Sequence, residues 1–178
     1  MKSKIIIVGA GGHGKVVCDA ILAQNQYEIV GFLDGTVAIG SEITKKFKVL
    51  ETPENITKLT DAAEYFILAI GNNKIRAKFF ELSQKIFKPA IIIHPSAVIG
   101  LEVHIAEGSV VLGNAVINAF SSIGKNTIIN SGTVVDHECK IGNHIHLSIG
   151  TIVGSNSEIA DYHTSSIGAR IESFSKIS

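Results

Sequence analysis

From Ile93 to Ile159 every sixth residue is aliphatic: Ile93, Ile99, Ile105, Val111, Ile117, Ile123, Ile129, Val135, Ile141, Leu147, Val153 and Ile159. After one interruption at Ser165 the run resumes in phase at Ile171 and Ile177. Two residues before most members stands a small side chain, among them Ala97, Ser109, Ala115, Ser121, Thr127, Thr133, Cys139, Thr151 and Ser157. A helix repeats every 3.6 residues and a half-buried strand every two, so neither gives this pattern. A strict short repeat describes stacked units, each burying its apolar face only against its neighbours. Units of six residues describe a parallel β-helix, three to a triangular coil, with between four and five coils over residues 94–178. Each aliphatic side chain then points inward and stacks on its equivalent one coil away, at roughly the 4.8 Å strand spacing. Corners fall two and three residues later, at Gly108 or Lys125-Asn126 for example, where left-handed backbone is needed. Such a stub has open ends and flat faces, and a homotrimer is expected.

The first half has a different rhythm. Lys4 to Val8, continuously apolar from Ile5, bears the mark of a buried parallel strand. A Gly-rich stretch follows over residues 9–14, then a helix over Val16 to Ala23. Glu28 to Asp34 and Tyr65 to Ile70 read as further strands. Asn72-Asn73 caps a helix whose apolar face is Ile75, Phe79, Leu82 and Ile86. Alternation of strand and helix predicts a small parallel α/β sheet. Pro89 and an extended segment lead into the repeat, so the expected domains are residues 1–89, α/β and Rossmann-like, and 90–178, an all-β parallel β-helix.

Composition narrows the function. Lys and Arg balance Asp and Glu at 16 each, so no long-range field draws nucleic acid or an anionic membrane. Only 18% of residues are charged, which leaves the surface to Ser, Thr, Asn and Gly, as stacked turns require. Apolar runs fall short of a membrane span, no signal-peptide pattern is evident at the start, and Cys18 and Cys139 form no disulfide framework. A cytoplasmic protein is expected.

Gly9-Ala10-Gly11-Gly12-His13-Gly14 fits G-x-G-x-x-G between a strand and a helix, and Asp34 ends the next strand, 20 residues after Gly14. Glycines there let backbone N–H groups approach a pyrophosphate at the helix N-terminus. About 90 residues hold one mononucleotide half rather than two, so a nucleotide-sugar fits better than NAD; the alternative is a tight turn that binds nothing. Gly71-Asn72-Asn73 is a second turn at the same sheet edge, readable as a ligand loop or as an ordinary helix cap.

In the second half, Asp136-His137-Glu138-Cys139 surrounds a corner that follows inward Val135. A His beside a carboxylate suits general-base work, because the carboxylate fixes the tautomer and raises basicity. His146 lies nine residues on, half a coil away, so the two histidines do not stack within one chain but can meet across subunits. Solvated surface histidines and zinc ligands are the competing readings; Glu138 and the His-x6-His-x-His spacing of His137, His144 and His146 weigh against a metal. Cys139 falls in the small inward column and is expected to be inert, and His163 reads as a loop residue.

Together the Gly9 to Val17 loop, Ala69 to Arg76 and Asp136 to Cys139 resemble the bacterial sugar acetyltransferases of the sialic acid O-acetyltransferase type, including those acting on UDP-4-amino-4,6-dideoxy sugars and GDP-perosamine. The resemblance covers essentially the whole chain. It implies a homotrimer with a nucleotide-sugar domain and a left-handed β-helix that holds acetyl-CoA between subunits. His137 is then the general base and Glu138 its partner; His146, Ser155 and Ala169 contact the coenzyme, with the Ser155 backbone N–H facing the oxyanion. Gly11, Gly12 and His13 hold phosphates, and Asp34, Gly35, Gly71 and Asn72 complete the nucleotide-sugar site; no metal is expected. The family commonly has Ala-Gly where this chain reads Gly154-Ser155. Two further departures are an expected two-residue insertion around residues 161–165 and a groove shortened where the sequence stops at Ser178. The expected reaction is N-acetylation of a nucleotide-linked amino sugar. Sugar or sialic acid O-acetylation, a γ-carbonic-anhydrase-like zinc enzyme and a binding-only protein are the alternatives.

Overall fold

The computed structural model describes residues 2–178 and divides into two compact units between Ala90 and Ile91.

The first unit is a five-stranded parallel sheet. Its elements are β1 (Ser3–Val8), α1 (Gly12–Gln24), β2 (Tyr27–Leu33), β3 (Val49–Glu51), a 3₁₀ segment (Pro53–Leu59), β4 (Tyr65–Leu68), α2 (Asn73–Ser83) and β5 (Lys88–Pro89). The spatial order is β3-β2-β1-β4-β5, so the chain reverses direction across the sheet between β1 and β4. Loops leaving the C-terminal ends of those two strands flank the crevice where open α/β sheets bind ligands. Central β1 is apolar without alternation because both faces are covered: Ile5, Ile6, Ile7 and Val8 are all fully buried. Below it Phe66 and Phe80 pack edge-tilted, their centroids 5.7 Å apart, and burial of each such side chain contributes about 1.5–3 kcal/mol.

Several elements differ from the sequence expectation. Helix α1 starts at Gly12 rather than Val16, taking in half of the Gly-rich stretch. Strands β3 and β5 are too short to show periodicity, and Pro89 pairs with Phe66 at the sheet edge, a place that tolerates its missing N–H. Helix α2 ends before Ile86, and its buried face is Asn73, Arg76, Ala77, Phe79, Phe80 and Ser83. Ile75 is 48% exposed, turned away from the core.

The second unit is a left-handed parallel β-helix whose three sheets repeat every 18 residues. One sheet stacks Val111, Ile129 and Leu147; the second Ile117, Val135 and Val153; the third Ile123, Ile141 and Ile159. These inward side chains form one continuous core. Every sixth residue from Glu102 to Phe174 has a positive φ, which turns each corner. Glycine or asparagine occupies most corners, but Glu102, Phe120, Glu138, His144, Tyr162 and Phe174 adopt the left-handed conformation too.

The expected two-residue insertion is absent. Thr164 bridges to His146 and Arg170 pairs with Ile152, both at the usual spacing, so the coil keeps its length. Ser165 takes the inward place one coil after Leu147 and is 5% exposed. Its Oγ accepts from the Ser148 N–H at 2.8 Å and shares a hydrogen bond with Thr151 Oγ1 at 2.7 Å, which explains how a hydroxyl replaces a hydrocarbon there. His163 likewise belongs to the ladder rather than to a loop: its carbonyl accepts from the His146 N–H at 3.0 Å. Burial holds its imidazole below the usual histidine range.

Candidate functional site

The Gly-rich loop of the first unit separates glycines that the fold needs from glycines that it does not. Gly9 has φ +113°, and a Cβ there would lie 2.5 Å from the Ala69 carbonyl oxygen. A Cβ on Gly14 would lie 2.1 Å from the Gly9 oxygen. Both are required for strand β1, helix α1 and the β4 loop to pack. Around Gly11 and Gly12 a Cβ would meet nothing within 4 Å. Gly11 is the N-cap of α1 with φ −71°, a value open to any residue, and no side chain caps the helix. Open space over a helix N-terminus is the geometry that admits an anion against backbone N–H groups. His13, in the first turn, is half-buried.

Asp34 ties this loop to the next strand. Its Oδ2 accepts from the Ala10 N–H at 2.7 Å, and its Oδ1 from the Thr36 N–H and hydroxyl, both at 2.7 Å, and from the Val37 N–H at 2.9 Å. Partial burial raises its pKa, but these four donors outweigh that and hold the carboxyl below its ordinary value. In the structure, then, Asp34 shapes the loop. Beside it lies a cavity of about 250 Å³ bordered by Gly9, Asp34, Gly35, Pro53, Ile75 and Phe79. The exposure of Ile75 is explained here: it and Phe79 give the cavity an apolar wall.

The second loop carries a residue whose role sequence reasoning missed. Asn72 caps α2, its Oδ1 accepting from the Ile75 N–H at 3.0 Å. Arg76 is fully buried and reaches back beneath the loop. Its guanidinium donates to the carbonyls of Ile70 at 2.9 Å and Gly71 at 3.2 Å and to Asn73 Oδ1 at 2.7 Å. Burial pushes it down to about 10. The signal was its spacing, three residues from Asn73 on one helix face.

On the β-helix, His137 and Glu138 sit at a corner. Their side chains are half-exposed, and His137 Nδ1 lies 3.0 Å from Glu138 Oε2. Glu138 has φ 59°. The His137 N–H donates to Asp136 Oδ1 at 2.8 Å, and Asn118 Nδ2 donates to the same oxygen at 3.0 Å. These two bonds hold the Asp136 carboxyl below its ordinary range. Ser155 is 18 residues on, the same corner one coil later. Corner N–H groups at Ser131 and His137 are capped by the side chain just before them, Asn130 and Asp136. Gly154 precedes Ser155 and has no side chain to offer, and the Ser155 N–H has no acceptor among the described residues.

The remaining candidates are placed apart from this edge. His146 lies on another face, its Nε2 3.1 Å from Asn130 Nδ2. Ala169 is in the small column, its carbonyl accepting from the Ile152 N–H at 2.8 Å. His144 is 5% exposed, bonded through Nδ1 to Asn126 at 2.8 Å and stacked on Tyr162 with centroids 5.0 Å apart, a structural ladder. Cys139 is buried, its thiol raised above the usual range by burial, consistent with an inert residue. Among the described residues no group of three or more His, Cys, Asp or Glu side chains is arranged to hold a metal ion.

Comparison with known proteins joins the two units. Residues 4–82 match the family described as the PglD N-terminal domain. A curated relative, UDP-N-acetylbacillosamine N-acetyltransferase of Bacillus subtilis (strain 168), is 34% identical over 121 residues, which span 61% of this chain and 50% of that protein's length. The solved acetyltransferase domain of PglB from Neisseria gonorrhoeae FA1090, in complex with acetyl coenzyme A, superposes with a TM-score of 0.74 at 33% identity, covering 97% of this chain and 86% of that one. PerB from Caulobacter crescentus, in complex with CoA and GDP-perosamine, superposes with a TM-score of 0.73 at 29% identity, covering 96% and 83%. With a third of residues shared along nearly the full length of a solved relative, and the same order of α/β unit and hexapeptide coils, the chain belongs to the bacterial sugar N-acetyltransferases of the hexapeptide-repeat type.

Proposed function

We propose that this chain transfers the acetyl group of acetyl-CoA to the amine of a nucleotide-linked amino sugar. One observation carries the reading: a half-exposed His137, its Nδ1 engaged by Glu138 at 3.0 Å, on the same edge as the uncapped Ser155 N–H one coil away. With Nδ1–H directed at the carboxylate, Nε2 is left as the acceptor. As the sugar nitrogen bonds to the thioester carbon, Nε2 takes the amine proton. The carbonyl oxygen becomes an oxyanion, for which the Ser155 N–H is the donor, and collapse breaks the C–S bond to release the coenzyme thiolate. A general base contributes about 10²–10⁴-fold and an oxyanion donor about 10²–10³-fold.

Open space above Gly11 and Gly12 fits a diphosphate, with His13 and the Gly71-Asn72 turn beside it and the apolar cavity at Gly35, Ile75 and Phe79 for the nucleoside. The relatives' complexes and names, with acetyl-CoA, CoA with GDP-perosamine, and UDP-N-acetylbacillosamine, favour an amine acceptor over a hydroxyl. His146 and Ala169 then serve the coenzyme in a homotrimer, where neighbouring subunits complete what one chain separates. No helix of the described residues is long and apolar enough to cross a membrane, and a cytoplasmic site of action suits both co-substrates.

The test is thiol release from acetyl-CoA with a panel of UDP- and GDP-linked 4-amino sugars, alongside His137→Ala. Turnover on at least one amino sugar that falls by about 10²-fold or more in the variant is expected. Turnover unchanged by the variant, or confined to hydroxyl acceptors, overturns the reading.

A further inference from the structure

The corner that carries His137 and Glu138 is held in a conformation its residues do not favour. Glu138 is left-handed, which an L-residue other than Gly or Asn resists. Something must fix it, and the fixing groups can be traced bond by bond. From the preceding coil the Ala119 carbonyl accepts from the Glu138 N–H at 3.0 Å. From the following coil the Asn156 N–H donates to the His137 carbonyl at 3.1 Å. Both are backbone groups that every coil supplies. The two peptide groups flanking the pair, the Asp136 carbonyl and the Cys139 N–H, are held instead by one side chain. Ser121 Oγ donates to the Asp136 carbonyl at 2.7 Å and accepts from the Cys139 N–H at 3.1 Å. Ser121 is 1% exposed, in the small column one coil below, and touches no solvent-facing part of the site.

We propose that Ser121 is a positioning residue for catalysis, a buried hydroxyl staple that clamps both ends of the His137–Glu138 corner and so aims the imidazole. The inference rests on the role given to His137 above. Its strength comes from the repeat itself, which provides internal comparisons. Ser109 makes the same pair of bonds, to the Gly124 carbonyl at 2.8 Å and from the Thr127 N–H at 3.1 Å, around a corner without site residues. Thr127 makes it again, to the Gly142 carbonyl at 3.0 Å and from the Ile145 N–H at 3.2 Å. A threonine hydroxyl therefore fits this column and staples as serine does. Cys139 stands one coil above Ser121, and its thiol reaches the Gly154 carbonyl at 3.2 Å, a weaker donor serving the Ser155 corner. The staple is thus a device of the repeat, and beneath this corner what it holds is the imidazole and the carboxylate.

The experiment compares Ser121→Ala, Ser121→Thr and Ser109→Ala in the full chain, by steady-state kinetics, thermal melting and amide hydrogen exchange. Ser121→Ala is expected to lower kcat by about 10- to 10²-fold, the scale of a misplaced catalytic group, with KM for the nucleotide-sugar within about 3-fold of wild type because the nucleotide loops are untouched. Ser121→Thr restores kcat. Ser109→Ala loses comparable thermal stability and keeps its kcat. Exchange at Glu138 and Cys139 rises in Ser121→Ala alone. A kcat loss in Ser121→Ala no larger than in Ser109→Ala, or a threonine variant as impaired as the alanine one, overturns the proposal. Unchanged exchange at Cys139 overturns the staple itself. A wild-type protein that turns over no amino sugar sinks the reaction assigned above, and the exchange comparison still decides the staple.

Discussion

Glu138 combines two demands that conflict. Its carboxylate lies 3.0 Å from His137 Nδ1 and in the proposed reaction orients the imidazole, while its φ of 59° would suit asparagine or glycine better. The left-handed conformation costs an ordinary L-residue roughly 1–2 kcal/mol. Glu138→Asn should therefore raise stability by about 0.5–1 kcal/mol in chemical denaturation while lowering kcat by about 10-fold or more. A variant that loses stability as well as activity would show that the carboxylate is structural. Asp34 carries the opposite kind of load. Its folded pKa is depressed, so its contribution to stability is present in full above the ordinary carboxylate range and is lost as pH falls through the lower, folded-state value. Loop order and nucleotide-sugar affinity should hold down to the ordinary carboxylate range and fail only below it. Asp34→Asn, which cannot accept at both oxygens, should remove about 1–3 kcal/mol of stability and abolish that acid transition. Urea titrations of both proteins across pH check it. A transition that survives in the asparagine variant belongs to another group.

The Gly-rich turn invites a test that separates fold from ligand. Gly14→Ala places a methyl group 2.1 Å from the Gly9 oxygen and should destabilise the first unit by about 3 kcal/mol or more. Gly12→Ala meets nothing within 4 Å and should leave the melting temperature unchanged or slightly raised, since alanine is the better helix former by about 1 kcal/mol. It should still weaken nucleotide-sugar binding, measured by calorimetry, because its methyl group enters the space assigned to phosphate. Equal affinity in Gly12→Ala would remove the ligand from that turn. The same contrast shows what the amino-acid order could and could not disclose. The β-helix was legible because each inward residue meets an equivalent, nearly always aliphatic, residue 18 positions away, and the period resumes in phase after Ser165. The G-x-G-x-x-G pattern was legible as a motif, but not which glycines serve packing. Strands β3 and β5 hold three and two residues and exist only through their neighbours, so no local pattern announces them. In the sequence Arg76 is one member of a motif, and its support of the loop shows only in the structure, because a buried guanidinium is recognised by what it touches. The Ser165 coil imitates an insertion in the sequence because a hydroxyl, held by the Ser148 N–H and the Thr151 hydroxyl, interrupts an apolar column.

In the proposed reaction, recognition and chemistry are assigned to two kinds of architecture. An α/β sheet supplies helix N-termini and loops that can be reshaped by single residues. A β-helix supplies corners at fixed intervals, where a side chain can be aimed without altering the core. In the proposed reaction the nucleotide is a non-reacting handle, and interactions with it that are equal in ground and transition states set KM rather than kcat. Gly12→Ala should accordingly raise KM for the nucleotide-sugar with kcat nearly unchanged, and His137→Ala should lower kcat by about 10²-fold or more with the nucleotide-sugar Kd unchanged. Gly12 and His137 belong to different compact units. The double variant should then lose kcat/KM by the product of the single losses, within about 0.5 kcal/mol. Kinetics of the four proteins, with calorimetric Kd values for each, measure the coupling directly. Coupling well above that bound would mean that the nucleotide loop also directs the amine toward His137, and that the handle contributes to the chemical step.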